Sequence, residues 1–376
     1  MSRGRAAIGA VLVALPALAA APPSRSSSPS PIPEVRLAFM GDSGTGDARQ
    51  GRVRDQLLRY PLRFVVLLGD NVYSAGQKAG LATRFDRVYE PLMERGVDFH
   101  AALGNHDVLL CGLAPTRGPL SPKADAYRIR DLGCDVEHQI ADANFGYRDR
   151  RRYYSFLSDP GPAPLVEVFL LDSNTLGIAD TKLWPAGNDW AQVIWLDAAL
   201  AASKARWKVV AMHHPPHSPQ AARHVFTFRN WEWTFGGRMR ETRLANQLEP
   251  ILRKHAVDVV FAGHNHFYAR MTPQDGIRYF VSGGGGRPAY GFEPSPGYVA
   301  TGGAFNHFVY VRVTGSAFEY YVIDDQGRSR DAGWFAKGDK ADHLFPAGAL
   351  PPPLPGAAES SDAIIRRVKP GPGGVP

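Results

Sequence analysis

Val65-Val66-Leu67-Leu68-Gly69-Asp70-Asn71-Val72-Tyr73 is the stretch whose reading decides the fold. A β-branched and leucine run bounded by turn residues predicts a short strand buried on both faces. In open α/β sheets, chemistry gathers just beyond the carboxyl ends of such strands. Asp70 and Tyr73 then stand where a carboxylate and a phenol become a pair of hard oxygen donors. A plainer reading makes the segment a strand-end turn, with Asp70 as a cap and Tyr73 packed on the edge. The company this segment keeps separates the two readings.

Upstream, residues 35–40 predict a first strand that runs into Gly41-Asp42-Ser43-Gly44-Thr45-Gly46, followed by a helix over 47–60. Downstream, a helix over 81–95 leads to a third strand at 99–103, which ends in Gly104-Asn105-His106-Asp107. Three strands joined by two helical crossovers make a βαβαβ unit. Further strands are expected at 153–157, 165–171 and 207–212, with an amphipathic helix over 190–202. The last of these strands opens into His213-His214-Pro215-Pro216-His217, where two prolines hold the chain extended. A helix over 240–255 and a strand at 257–262 precede Gly263-His264-Asn265-His266. Beyond it, 277–282, 308–314 and 318–323 read as antiparallel strands between glycine loops. Residues 108–152 dissolve into Gly, Pro and Arg and predict an insertion arching over one side of the site. The basic, aromatic stretch 223–235 reads as a second lid.

Five strand ends thus carry, in turn, Asp42, Asp70 with Tyr73, Asn105 with His106, His213, and His264 with His266. Any one of them has a dull explanation as a turn or a satisfied histidine. Five at corresponding sheet positions point to one rim, and a glycine before Asp42, Asp70, Asn105 and His264 lets the backbone turn sharply there. Carboxylates, an amide oxygen, imidazoles and a phenol, with no thiolate, suit two ions drawn from iron, manganese and zinc. Asp70, on the central strand, is the natural bridge. The glycines after the first strand lack the Gly-Lys-Ser/Thr ending of a nucleotide loop, and the spacing from Gly41 excludes a dinucleotide fingerprint.

These five blocks resemble the calcineurin-like metallophosphoesterases, and within them the purple acid phosphatases of the small, tartrate-resistant type, from about Val35 to Thr314. The resemblance implies an α/β fold, a β-sandwich of two mixed sheets flanked by helices in α-β-β-α layers. It implies Fe(III) held by Asp42, Asp70, Tyr73 and His266, and a divalent ion (Fe, Zn or Mn) held by Asp70, Asn105, His213 and His264. Tyr73 is the distinguishing member, because a phenol ionises at low pH only against a strongly Lewis-acidic ion. The implied chemistry is hydrolysis of phosphomonoesters by a metal-activated hydroxide, at acidic pH. His106 is then placed to hydrogen-bond the phosphoryl oxygens or the leaving group, and His217 to protonate the departing alkoxide. The family places a histidine nine residues after the position of His213, where this chain has Ala222, so His217, His224 and His106 all stand as candidates for the acid. A phosphodiesterase acting on nucleotides or phospholipid head groups is the alternative enzyme, and a non-catalytic phosphate-binding protein the alternative of another kind.

Composition bounds the rest. The 376 residues carry a formal charge of +7, which suits an anionic ligand. No basic block or interleaved aromatic run of a nucleic-acid tracker accompanies it; the resemblance implies a small phosphate ester as partner, and the chain is expected to be a monomer. Arg3 and Arg5 precede an apolar run, 6–21, in the pattern of a secretory signal. Export, periplasmic or extracellular, is expected, with residues 1–21 removed and no membrane association afterwards. It makes a disulfide between the two cysteines, Cys111 and Cys134, permissible. The expected organisation is a Ser/Pro-rich linker over 22–33, the catalytic domain over 34–336, and a Pro/Gly-rich tail over 337–376, poorly ordered or laid across the surface.

Overall fold

Each buried strand alternates its side chains between two apolar environments, and this sets the layering. A computed structural model of the chain describes residues 34–108, 112–115, 127–130, 136–149, 151–176, 189–219, 239–240, 242–292 and 296–353. In the strand Glu34–Met40, Leu37 and Phe39 point one way and Ala38 and Met40 the other. Phe39 and Leu68 meet Val168, Val209 and Phe261 in the central core, where the rings of Phe39 and Phe261 stack at 3.9 Å. Ala38, Met40, Val65 and Leu67 instead face Val53, Leu57, Tyr89 and Leu92 of the helices outside. A strand covered on both faces must be apolar throughout, which is why the opening stretch has no polar alternation.

Two seven-stranded mixed sheets form the sandwich. The first runs His343–Leu344, Ser329–Ala336, Ala317–Asp324, His307–Thr314, Glu34–Met40, Phe64–Leu68, Asp98–Ala102. Its last three strands are parallel, with Phe39 opposite Val66. Helix Ala48–Leu57 and a helical stretch from Lys78 to Met93, containing a π turn at Ala82–Asp86, make the crossovers. The expected βαβαβ unit is therefore present. The second sheet runs Val299–Gly303, Tyr268–Met271, Arg278–Ser282, Val259–Ala262, Trp207–Met212, Val166–Leu170, Tyr154–Leu157. Helices Trp190–Ala202 and Thr242–Lys254 accompany it, and Leu196, Leu200, Leu244, Leu248 and Leu252 are buried with its outward-facing residues. The α/β sandwich of two mixed sheets with flanking helices is the architecture expected.

Some elements differ from expectation. The strand Arg278–Ser282 is antiparallel to Tyr268–Met271 but parallel to Val259–Ala262, so it belongs to the doubly wound part of the sheet. Tyr268–Met271, Val299–Gly303 and Ser329–Ala336 escaped the sequence reading because they are short, glycine-rich or charged; they lie in the outer, antiparallel parts of the two sheets. Past Ala336 the chain remains on the fold as far as Pro353. His343–Leu344 adds an edge strand, Asp342 pairs with Arg270 and Arg278, and Arg36 donates to the Pro352 carbonyl. No helix among the described residues is long and apolar enough to cross a membrane. Residues 1–33, where a signal and a linker are expected, Cys111, Cys134, the 223–235 stretch with His224, and residues 354–376 lie outside the described residues.

Candidate metal centre

The parallel strands of both sheets deliver their carboxyl ends to one rim, and glycines allow the ends to touch there. The Gly41 N–H donates to the Ser282 carbonyl at 2.7 Å, and Ser282 Oγ donates to the Phe39 carbonyl at 3.2 Å, tying the two sheets. A Cβ on Gly104 would lie 2.1 Å from the Asp70 nitrogen, and one on Gly69 2.7 Å from His213 Nδ1. Three of the expected donors themselves occupy the left-handed region: Asp42 at φ 59°, Asp70 at φ 55° and His264 at φ 68°. Non-glycine residues there cost about 1–3 kcal/mol each and gather at functional sites.

All seven expected donors converge, in two groups. In the first, the Tyr73 hydroxyl lies 2.7 Å from Asp70 Oδ2, 3.1 Å from Asp42 Oδ1 and 3.4 Å from His266 Nε2. In the second, Asn105 Oδ1 lies 2.8 Å from His213 Nε2 and 3.1 Å from His264 Nδ1, and those two ring nitrogens are 3.3 Å apart. Asp70 serves both, since its Oδ1 is 3.4 Å from His213 Nε2 while Oδ2 accepts from Tyr73. Asp42, Asp70 and His213 present ligand atoms within 4.8 Å of one another, as do His213, His214 and His264.

The hydrogen-bonding pattern fits a cation. His213 Nδ1 must donate to the Leu68 carbonyl, 2.8 Å away, so in the neutral ring Nε2 presents a lone pair. That lone pair faces the Asn105 amide oxygen at 2.8 Å. Two acceptors at this distance repel unless a cation or a second ring proton lies between them, or the Asn105 amide is turned to present its NH2. A backbone carbonyl fixing the other ring nitrogen is how metal-binding imidazoles are oriented. Burial works to raise the Asp42 pKa, but the hydrogen bond and charge of His266, with His213 and His264, pull it below the ordinary carboxylate value. Burial first, and then the charges of Asp42 and Asp70, push the Tyr73 phenol well above its usual value. Without a cation, Tyr73 is a hydroxyl donor.

His106 sits beside this centre. Its main-chain N–H holds Asp70 Oδ1 at 2.8 Å, and its Nδ1 donates to the Ser74 carbonyl at 2.6 Å, leaving Nε2 as the reactive end. His217, the other histidine expected as a general acid, is held by neighbours outside the two donor groups. It is buried, with Nε2 on Glu249 Oε1 at 2.8 Å and Nδ1 on the Tyr298 hydroxyl. Both ring nitrogens are engaged in this arrangement. Ala222 and His224 lie outside the described residues.

Sequence reading missed four participants. Asp107 is fully buried and accepts from the main-chain N–H groups of Asn71, Val72 and Gly104, clamping the Asp70 and Asn105 loops together. Burial first, then the Asp70 charge, pushes its carboxyl up to about 7. His214 is held by Ser173 Oγ at 2.9 Å, with its buried Nε2 lacking a hydrogen-bond partner. Gly283–Gly286 line the rim, and Arg287 lies on the Tyr73 ring. Asp107 and His214 belong to quoted motifs, and their adjacency to Asn105 and His213 was the available signal. Nothing in sequence links Arg287 to Tyr73, more than two hundred residues away.

Comparison with known proteins bears on this geometry. The sequence profile of the family described as calcineurin-like phosphoesterase matches residues 35–268. Purple acid phosphatase 17 of Arabidopsis thaliana is 25% identical over 289 residues, covering 70% of this chain and 71% of its own. Tartrate-resistant acid phosphatase type 5 of Sus scrofa is 25% identical over 293 residues, covering 71% and 73%. Among solved structures, the purple acid phosphatase PPD1 from yellow lupin superposes with a TM-score of 0.57 at 18% identity, over 82% of this chain and 55% of its own. GAP50, the anchor in the inner membrane complex of Plasmodium, gives 0.58 at 14% identity, over 85% and 91%. At those identities the structural likenesses speak to the fold alone.

Proposed function

The chain belongs to the calcineurin-like phosphoesterases, and from that premise we propose that it is an exported acid phosphatase that hydrolyses phosphomonoesters at a binuclear metal centre. The supporting observation is the division of Asp70, one oxygen toward the Tyr73 group and the other toward the His213 group. In this reading Asp42, Asp70, Tyr73 and His266 would hold Fe(III), and Asp70, Asn105, His213 and His264 a divalent Fe, Zn or Mn ion. Such a pair supplies Lewis acidity that lowers the pKa of a water and offsets phosphoryl charge.

The protein's own groups do the remaining work. The Leu68 carbonyl sets the His213 tautomer, and the His106 N–H orients Asp70. His106 replaces His217 as proton donor to the leaving oxygen, because its Nδ1 is anchored on Ser74 and its other nitrogen is not buried in a hydrogen-bonded pair. Export rests on Arg3, Arg5 and the apolar run after them, and N-terminal sequencing of material recovered outside the cell tests it.

Metal analysis with a visible spectrum, and parallel assays on nitrophenyl phosphate and bis(nitrophenyl) phosphate, test the activity. Two metals per chain, visible absorbance and preference for the monoester are expected. A clear preference for the diester would make it a phosphodiesterase. Phosphate binding without turnover of either ester between about pH 4 and 9 would make it a binding protein.

A further inference from the structure

The half-buried Arg287 has no charge partner, whereas the fully buried arginines each have one. Arg152 pairs with Asp172 and Asp189, Arg270 with Asp331 and Asp342, and Arg278 with Asp342. Among the described residues, no carboxylate pairs with the Arg287 guanidinium, and its buried Nε has no hydrogen-bond partner. Burying part of a guanidinium unpaired is costly, and such groups persist where a ligand completes them. The guanidinium carbon lies 4.3 Å from the centre of the Tyr73 ring, whose hydroxyl touches Asp42 and Asp70.

The side chain stands on a braced loop. The Arg287 N–H donates to the Asp42 carbonyl at 3.0 Å, Asn306 Nδ2 donates to the Arg287 carbonyl at 2.7 Å, and the Gly285 N–H donates to the Gly41 carbonyl at 2.9 Å. Pro288 follows and stiffens the exit, and the Tyr290 N–H is fixed on the His266 carbonyl at 3.2 Å. Both flanks of Arg287 are thus hydrogen-bonded to the loops that carry Asp42 and His266. A fork of N–H donors held there is pre-organised for a planar or tetrahedral oxyanion.

We propose that Arg287 binds the terminal phosphoryl group of the substrate and selects monoesters over diesters, an inference that rests on the phosphatase reading above. A phosphomonoester carries three non-bridging oxygens and up to two charges; a diester carries two such oxygens and one charge. The additional charged oxygen is what a guanidinium fork recognises.

Arg287→Gln and Arg287→Lys test it, with metal-loaded protein, the same two esters, and inorganic phosphate as a binding probe. Arg287→Gln is expected to lose about 10- to 100-fold in kcat/KM for the monoester and in phosphate affinity, the size of a lost charge-assisted contact. Its kcat/KM for the diester stays within about threefold, and Arg287→Lys recovers part of the loss because it restores the charge without the fork. Metal content stays the same in both variants. Equal losses on both esters, unchanged phosphate affinity, or loss of metal in both variants would overturn the proposal, the last because Arg287 would then be holding the centre together. If the unaltered protein hydrolyses neither ester, the phosphatase reading fails instead, and the phosphate titration alone decides whether Arg287 binds the anion.

Discussion

Tyr73 carries the most information of any residue. Its hydroxyl is the hub of one donor group, and its ring is held by contacts with His106 and Arg287, centred 4.6 and 4.3 Å away. The surroundings keep the phenol protonated in the absence of a cation, so ionisation requires an ion whose attraction exceeds burial and two neighbouring carboxylates. Tyr73→Phe keeps the ring and removes only the donor. The expected result is loss of visible absorbance with the folded state weakened by no more than about 2 kcal/mol. An absorption spectrum and a denaturant titration on one sample check it, and an unchanged spectrum would remove Tyr73 from the ligand set. The left-handed conformations of Asp42, Asp70 and His264 tell the same story, since these side chains are aimed by strained backbone rather than by a neighbouring glycine alone.

At the level of elements, the site depends on strand ends that approach more closely than side chains permit. Gly283–Gly286 follow the strand Arg278–Ser282 and pass against the loop after Glu34–Met40. A Cβ on Gly285 would lie 2.6 Å from the Gly41 carbonyl, and one on Gly286 2.4 Å from the Ser43 carbonyl. Backbone cannot yield as a flexible side chain does, so Gly285→Ala must push the two sheets apart at the rim. We expect about 1–3 kcal/mol of destabilisation, the range for overpacking, together with weakened metal retention. Thermal unfolding and metal content measure the two effects; an alanine variant that binds metal as before would show that the rim tolerates the displacement.

Two consequences belong to the whole molecule. The first is its response to acid. His100 is stacked on Phe156 at 3.6 Å, with Nδ1 donating to the Gly146 carbonyl, and burial lowers its pKa to about 4 despite that bond. His307 is buried and lowered to about 4 as well. Unfolded, both titrate near 6.5, so between these values the unfolded chain binds more protons than the folded one. Stability is therefore full above about pH 6.5 and falls as pH drops toward 4, by about 3 kcal/mol at most for His100. His100→Phe should flatten part of the decline of Tm over that window; an identical slope would show that His100 does not contribute. An enzyme proposed to work in acid would thus do so with a fold that weakens there. The second consequence concerns the chain beyond Ala336. Asp342 is the shared partner of buried Arg270 and Arg278. Asp342→Ala leaves both guanidinium groups short of charge, and about 3–5 kcal/mol of stability should be lost, visible as a lower denaturant midpoint.

Local sequence carried the period of the buried strands, the crossover helices and the five polar strand ends. That was enough to place Asp42, Asp70, Tyr73, Asn105, His213, His264 and His266 together, because in a parallel sheet the end of each strand is also a position in space. It could not say where His217 would turn, since a partner such as Glu249 lies on another element and is found only when helix Thr242–Lys254 packs on its sheet. Arg287 and Asp342 were silent for the same reason. A charged side chain has no periodicity, and what it does is set by which carboxylate, amide or anion the tertiary fold brings within reach. Strand ends are specified locally by apolar runs and glycine, whereas charge pairing is long-range and is decided only once the two sheets have closed on each other.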